Sequence, residues 1–201
     1  RLYVHDPDAR AAESAAAACG AIPCRSSEEL LERVDAVSIC VPTPHHHTVA
    51  LEAFRRGVHT LIEKPLCAST ADGADLIAAI PEHLVVGVGH IERFNPIVEE
   101  IRRINRNPLY VELKRHNPAS ARMTGTSVVE DLMIHDIDIV FHRLFGGPYQ
   151  LSSVGNDDFC SALLKFGPTP VYLSASRKAS KKIRMIYVED EECSVEGDFM
   201  T

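Results

Sequence analysis

The stretch Leu61-Ile-Glu-Lys-Pro-Leu66 decides how this chain is interpreted, because an apolar run ends there in a charged pair and a proline. The run begins at Val58, directly after Gly57, and its length and flanks predict a buried strand. Strands of a parallel sheet are buried on both faces, so their polar residues collect at the carboxyl end, where open α/β sheets bind ligands. Lys64 is therefore expected at the mouth of a cleft, with Pro65 biasing it away from helical geometry. The alternative is a strand-end lysine in solvent before a turn-forming proline.

The composition is that of an ordinary globular chain of 201 residues, 45% hydrophobic and 24% charged. Its formal net charge of −7 argues against non-specific binding to nucleic acid. No apolar run reaches the roughly 18 residues of a membrane span, and no signal peptide is recognisable. The six cysteines are scattered without a CxxC pair, which is typical of reduced thiols. We therefore expect a cytoplasmic protein that binds neither nucleic acid nor membrane.

Strands and helices alternate regularly up to about residue 91. The sequence predicts strands over residues 2–5, 21–25, 35–41, 58–63 and 84–89, and helices over 7–20, 26–33, 47–56 and 69–80. This pattern indicates an α/β fold with a Rossmann-like, doubly wound parallel sheet, and we assign residues 1–92 to a dinucleotide-binding domain. A glycine-rich phosphate-binding loop would precede Leu2, so we expect the first strand and that loop to be missing from this stretch.

The rhythm changes after residue 92. Helices are predicted over residues 95–104 and 126–145, and strands over 109–116, 150–154, 159–166, 170–176 and 183–188. Strands that follow one another without helices predict an open, mainly antiparallel sheet with a helix on one face. We assign residues 93–201 to an α+β domain for substrate binding and oligomerisation, and expect it to be incomplete. The basic run 177–184 and the acidic run 189–192 are interpreted as a solvated hairpin and its turn.

Asp131 and His135 form the first group of residues that suits catalysis. Four residues apart on a helix, a carboxylate and an imidazole share a face, and the carboxylate raises the basicity of the ring. Asp138 and His142 continue this stripe. Two alternatives stay open here, a merely polar helix face and a zinc or iron site that includes His142. Without an HExxH motif or clustered cysteines, we predict no metal.

Two further groups follow the ends of predicted strands. In Gly89-His-Ile-Glu-Arg-Phe-Asn-Pro96, Arg93 suits a phosphate or carboxylate and Asn95 suits a helix N-cap, although the segment could be only a linker. His45-His-His47 is interpreted as the first turn of a helix, with one ring near a ligand. Asp6 could hold the ribose hydroxyls of a dinucleotide or simply form a turn.

Taken in order, these motifs resemble the Gfo/Idh/MocA family of NAD(P)-dependent sugar oxidoreductases. The resemblance rests on Asp6, the Val41-Pro-Thr-Pro44 loop, Glu63-Lys64-Pro65, and Asp131 with His135 and Asp138. The runs Gly89–Pro96 and Met133–Asp138 are similar to the branch that acts on UDP-N-acetylglucosamine at the sugar 3-hydroxyl.

The resemblance implies NAD(P) as cofactor, a sugar or sugar-nucleotide substrate, and a homodimer or homotetramer formed through the second domain's sheet. Asp6 favours NAD over NADP, because a carboxylate would repel a 2′-phosphate. It implies that Lys64 binds the reacting hydroxyl, that His135 takes its proton and that Asp131 orients His135 or holds a neighbouring sugar hydroxyl. The implied cofactor-binding residues are Asp6, Val41, Pro42, Thr43, His46, Glu63, Lys64 and Pro65. The implied substrate-binding residues are Lys64, Arg93, Asn95, Asp131 and His135. The alternative function is a non-catalytic sugar or dinucleotide sensor on the same fold.

Overall fold

The computed structural model describes residues 1–119 and 126–200 of the chain. The chain divides into two compact units, Arg1–Gly89 and His90–Thr201. The sequence predicted the boundary at residue 92, whereas the second unit begins at His90. All of the Gly89–Pro96 segment except Gly89 therefore belongs to the second unit. In these two ranges no helix combines the length and the apolar composition needed to cross a lipid bilayer.

Short strands and helices alternate along the first unit, as the sequence predicts. Its regular elements are β1 (Tyr3–Val4), α1 (Ala9–Cys19), β2 (Ile22–Pro23), α2 (Ser27–Leu31), β3 (Ala36–Ile39), α3 (His46–Arg55), β4 (His59–Ile62), α4 (Thr70–Ala79) and β5 (Val86–Val88). Serine hydroxyls begin two of these helices: Ser26 accepts from the N–H of Glu29, and Ser69 accepts from that of Asp72. A turn of 3-10 helix, Thr43–His45, leads directly into α3.

All strand pairs of the first unit are parallel, but they form two sheets. β1 pairs with β2, and β3, β4 and β5 form a second sheet in that order. The predicted parallel, Rossmann-like arrangement is confirmed, and in this fully described unit β1 and β3 share no ladder. Residues of both strands line one open space. Ile39 and Ile62, buried at the centre of the three-stranded sheet, pack against α3 and α4.

The second unit combines one mixed sheet with helices. Its regular elements are α5 (Pro96–Ile104), β6 (Tyr110–His116), a π-helical turn (Val129–Met133), α6 (Ile134–Ile139), a second π-helical turn (Val140–Leu144), β7 (Tyr149–Gly155), β8 (Phe159–Phe166), β9 (Thr169–Ser176), β10 (Ile183–Glu189) and β11 (Ser194–Asp198). The sheet order is β11-β10-β6-β9-β8-β7, and only the β6–β9 pair is parallel among the described strands. The predicted open, mainly antiparallel sheet is confirmed.

The strand order corrects one expectation about connections. Residues 177–184 do not form a hairpin turn, because β6 lies between β9 and β10 and this segment must pass its end. Residues 190–193 do turn tightly, since the N–H of Asp190 donates to the carbonyl of Cys193 over 2.9 Å. This turn leads into β11, Ser194–Asp198.

The two faces of this sheet differ. One face carries buried residues such as Val111, Leu113 and Leu173, which pack with the helical segment in a single apolar core. The opposite face carries Val154, Phe159 and Leu163, which are 78%, 46% and 51% exposed. We call these three residues, with Tyr172 paired beside Leu163, the outer patch of the sheet.

Candidate active site

The carboxyl ends of β3, β4 and β5 lie side by side. Their parallel register pairs Ile39 with Ile62 and Ile62 with Val88, so the residues that follow these strands leave the sheet at one edge. These residues include Val41, Glu63, Lys64 and Gly89. The structure therefore places the Glu-Lys-Pro motif where the sequence predicted a cleft mouth.

Glu63 and Lys64 are fixed by contacts within this edge. The N–H of Gly89 donates to the carbonyl of Ile62 over 2.7 Å, and the Lys64 N–H donates to the Glu63 carboxylate over 3.2 Å. The same carboxylate lies so close to Gly89 that a Cβ there would stand only 3.1 Å from its carbon and both oxygens. Gly89 thus leaves room for the carboxylate beside the backbone of half-buried Lys64.

His46 lies at the same edge but is buried, with 1% of its surface exposed. Its Nδ1 is 2.9 Å from the carbonyl oxygen of Pro65, and its Nε2 is 2.8 Å from that of Val41. The resemblance implies a cofactor-binding role for this residue. In the structure both nitrogens meet the backbone of the two loops that carry other predicted site residues.

Asp6 follows β1 and borders the open space together with Val41 and Pro42. One carboxylate oxygen of Asp6 accepts the N–H of Asp8 over 2.8 Å, so the turn predicted as an alternative is present. The side chain is nevertheless exposed, and a carboxylate is the group that holds ribose hydroxyls in dinucleotide sites. The acid and the loop after β3 therefore border one open space.

The predicted helix 126–145 is helical in the structure only over Val129–Leu144, and it changes type along its length. A π-helical turn precedes α6, and a second one follows it. Ser127 and Glu130 begin it reciprocally: the Ser127 N–H donates to the Glu130 carboxylate over 2.8 Å, and the Glu130 N–H donates to the Ser127 hydroxyl over 3.3 Å. This capping box was readable in the sequence and had been missed.

Asp131 and His135 occupy consecutive parts of this segment. Asp131 lies in the first π-helical turn and His135 in α6, and both side chains are half-buried. π-Helical turns are rare and are frequent at functional sites. A carboxylate and an imidazole on one segment can position and move a proton, which is the chemistry predicted for this pair.

Asp138, the next residue of the predicted stripe, is an internal anchor. It is buried, and its carboxylate accepts a forked pair of hydrogen bonds from the Arg93 guanidinium, one of them over 2.8 Å. This pairing raises the pKa of Arg93. Nδ1 of His90 and Nε2 of His142 lie 3.9 and 3.8 Å from one Asp138 oxygen. The Arg93 guanidinium, which was predicted to bind a substrate anion, is therefore bound to the Asp138 carboxylate.

A metal site is not visible at these residues. In the described ranges, no three histidine, cysteine, aspartate or glutamate side chains come together in a group that could hold a metal ion. His142, which the metal alternative required, lies instead beside Asp138. Gly125, which precedes the helix in the sequence, lies outside the described residues.

Asn95 begins α5, as predicted, since its side-chain oxygen accepts the N–H of Ile97 over 3.0 Å. We expect Asn95→Ala to lower the free energy of unfolding by about 1 kcal/mol, because the cap is lost. Asn95→Ser retains a capping oxygen and should lose only a fraction of this. Urea unfolding of the three proteins measures the difference, and equal stability of Asn95→Ala and the parent would contradict the capping role.

Comparison with known families agrees with this geometry. The sequence profile of the Gfo/Idh/MocA family, described as an oxidoreductase family with an NAD-binding Rossmann fold, matches residues 2–103. The chain belongs to this family. The match covers the first unit and α5, where the strand-end residues lie.

Individual Gfo/Idh/MocA proteins extend the similarity into the second unit. The chain is 37% identical to UDP-N-acetylglucosamine 3-dehydrogenase of Acidithiobacillus ferrooxidans, over 93% of this chain and 63% of that protein. It is 31% identical to an inositol 2-dehydrogenase of Cereibacter sphaeroides, over 57% of this chain and 36% of that protein. The chain thus spans less than two thirds of the length of these relatives.

Solved structures give the same picture. The Acidithiobacillus UDP-N-acetylglucosamine 3-dehydrogenase superimposes with a TM-score of 0.87 and 32% identity, over 100% of this chain and 69% of that chain. The myo-inositol 2-dehydrogenase of Lactobacillus plantarum superimposes with a TM-score of 0.85 at 19% identity, over 98% of this chain and 68% of that chain, which shows the shared fold.

Proposed function

We propose that this Gfo/Idh/MocA protein is an NAD-dependent dehydrogenase that oxidises a sugar hydroxyl, with C3 of UDP-N-acetylglucosamine as the reacting carbon. The observation that carries the proposal is the position of Lys64 at the carboxyl end of β4, beside the loop after β3. The 37% identity to UDP-N-acetylglucosamine 3-dehydrogenase supports the substrate.

Three side chains would divide the chemistry. When bound, NAD supplies the acceptor for the hydride that leaves the sugar carbon. The Lys64 ammonium donates a hydrogen bond to the hydroxyl oxygen and stabilises the negative charge that develops there. His135 accepts the hydroxyl proton through a ring nitrogen, and Asp131 holds that ring or a neighbouring sugar hydroxyl.

NAD is preferred to NADP in this proposal because of Asp6. An exposed carboxylate at the end of β1 accepts hydrogen bonds from ribose hydroxyls, whereas it repels a 2′-phosphate. The remaining predicted cofactor residues, Thr43, Glu63 and Pro65, stand in the loops after β3 and β4.

The test follows the near-ultraviolet absorbance of NADH in protein that contains this chain, with UDP-N-acetylglucosamine as substrate. UDP-glucose, which lacks the acetamido group, is the matched control sugar, and NADP replaces NAD in a parallel assay. We expect NADH to form with UDP-N-acetylglucosamine and NAD. NAD binding without turnover of any sugar nucleotide would overturn the proposal and favour the alternative function, a non-catalytic sugar or dinucleotide sensor.

We further propose that two copies of the chain associate through the outer patch. Val154, Phe159 and Leu163 of the patch are exposed although they are large and apolar, and a second copy would cover them.

The six cysteines carry no disulfide, which supports the proposed cytoplasmic location.

Leu163→Glu should dissociate the oligomer, because it would bury a carboxylate between two apolar surfaces. Leu151→Glu is the matched control, since Leu151 is similarly exposed but pairs with buried Leu164 on the other face. Analytical ultracentrifugation should give a monomer mass for the first variant and the parent's oligomer mass for the second. A parent that is monomeric, or a Leu163→Glu variant that stays oligomeric, would contradict the proposed interface.

A further inference from the structure

His46 occupies a position that direct ligand contact does not explain. It is the first residue of α3, it is 1% exposed, and its ring spans the space between two loops. One loop follows β3 and contributes the Val41 carbonyl, and the other follows β4 and contributes the Pro65 carbonyl. Both distances, 2.8 and 2.9 Å, are those of ordinary hydrogen bonds.

These two loops begin just past the last ladder bonds of the sheet. The N–H of Glu63 still donates to the carbonyl of Ile39 over 3.0 Å, and the N–H of Gly89 to that of Ile62. Pro65 has no N–H of its own, so its backbone can only accept a hydrogen bond. The contact from Nδ1 of His46 therefore holds the chain at the residue directly after Lys64.

The imidazole suits this task because its two nitrogens point in opposite directions from a rigid ring. When both carry hydrogen, the ring donates to both carbonyls; a neutral ring donates to one of them. A shorter or apolar side chain would leave two carbonyls without this partner at a buried position. His47, the next residue, faces elsewhere and contacts the carboxylate of Asp75 over 2.7 Å on α4.

We propose that His46 is a positioning residue for Lys64, and that it ties the loop predicted to hold NAD to the loop that carries the lysine. The expected effect on turnover rests on the proposed function, whereas the expected effect on the position of Lys64 does not. A displacement of the lysine of about 1 Å would cost up to about 10²-fold in turnover, since the ammonium must reach the substrate oxygen.

The experiment compares His46→Gln with His47→Ala. Glutamine can replace one of the two hydrogen bonds, whereas His47→Ala removes a neighbouring imidazole that contacts neither loop. Lysine ammonium groups are labelled by reductive ¹³C-methylation, and the Lys64 signal is assigned from its loss in Lys64→Arg. Thermal unfolding of both variants verifies that each is folded.

We expect the Lys64 signal to move in His46→Gln and to stay in place in His47→Ala. With the dehydrogenase active, kcat should fall about 10- to 100-fold in His46→Gln and less than twofold in His47→Ala. An unchanged Lys64 signal in folded His46→Gln would overturn the positioning role. If the parent lacks dehydrogenase activity, the proposed function fails, and the Lys64 signal alone decides the role of His46. If His46→Gln does not fold, His46→Asn is measured in the same way, with the same two outcomes.

Discussion

Lys64→Ala is expected to reduce turnover by about 10²- to 10⁴-fold, the range for loss of one acid–base or hydrogen-bonding group. The alanine leaves nothing to stabilise the oxygen as hydride departs, while the strand that carries it keeps its ladder. The binding of NAD should weaken much less than turnover, because Asp6 and the loop after β3 remain. The measurement is the initial rate of NADH formation, with Lys181→Ala as the control for loss of an exposed lysine.

A double-variant cycle sharpens this expectation. If Lys64 and His135 act on one chemical step, His135→Asn should cost a similar factor, and the double variant should be much more active than the product of the two losses implies. Independent, multiplicative losses would indicate that the residues serve separate steps. Full activity of folded Lys64→Ala would remove the lysine from the mechanism.

Arg115→Met is expected to lower the free energy of unfolding by about 3–5 kcal/mol at pH 8. Arg115 is 1% exposed, and its Nε donates to the carboxylate of Asp136 over 2.9 Å. Its guanidinium also lies 3.4 Å from Glu92, which in turn is 3.7 Å from Arg184. Removing the Arg115 guanidinium leaves the carboxylate of Asp136 buried without its charged partner, because Asp136 is also 1% exposed.

The size of this loss depends on pH. Burial raises the pKa of Asp136 from 3.8 to about 6, and Arg115 acts in the opposite direction. A raised carboxyl pKa means that the folded state binds the proton more tightly, so this group's contribution to stability is greatest below pH 4 and declines as pH rises towards 6. Without Arg115 the pKa rises further, so the difference between variant and parent should grow from pH 5 to pH 8.

Urea unfolding at several pH values tests this. Arg115→Met combined with Asp136→Asn should regain much of the lost stability at pH 8, because no charge is left stranded at that position. Arg102→Met is the control, since Arg102 and Glu99 form an exposed pair over 3.1 Å, and its loss should be within about 0.5 kcal/mol. A loss at Arg115 that is equal at pH 5 and pH 8 would contradict the assigned role of Asp136.

The first unit was largely predictable because its signals are local. Apolar runs such as Val58–Ile62 end in polar residues, and the parallel sheet brings those ends together at one edge. The predictions for Lys64 and Glu63 depend only on this rule.

The second unit shows what local patterns cannot give. Arg93 was predicted as a substrate-binding residue and Asp138 only as part of a helix stripe, yet the two are 45 positions apart and paired with each other. The charge pair of Arg115 and Asp136 was missed, because an arginine in a strand and an aspartate in a helix each look solvated in isolation. The π-helical turns depend on packing that the apolar spacing does not specify.

The place of β6 in the sheet constrains how the protein can be made. Val111 of β6 pairs with Val171 on one side and Val188 on the other, so both of its neighbours leave the ribosome long after it does. During synthesis the backbone N–H and C=O groups on both edges of β6 lack their partner strands until β9 and β10 have been made. Neighbouring strands β3 and β4, by contrast, are joined by a short crossover. Nascent chains arrested before residue 170 should therefore depend on chaperones to keep β6 from pairing with other polypeptides.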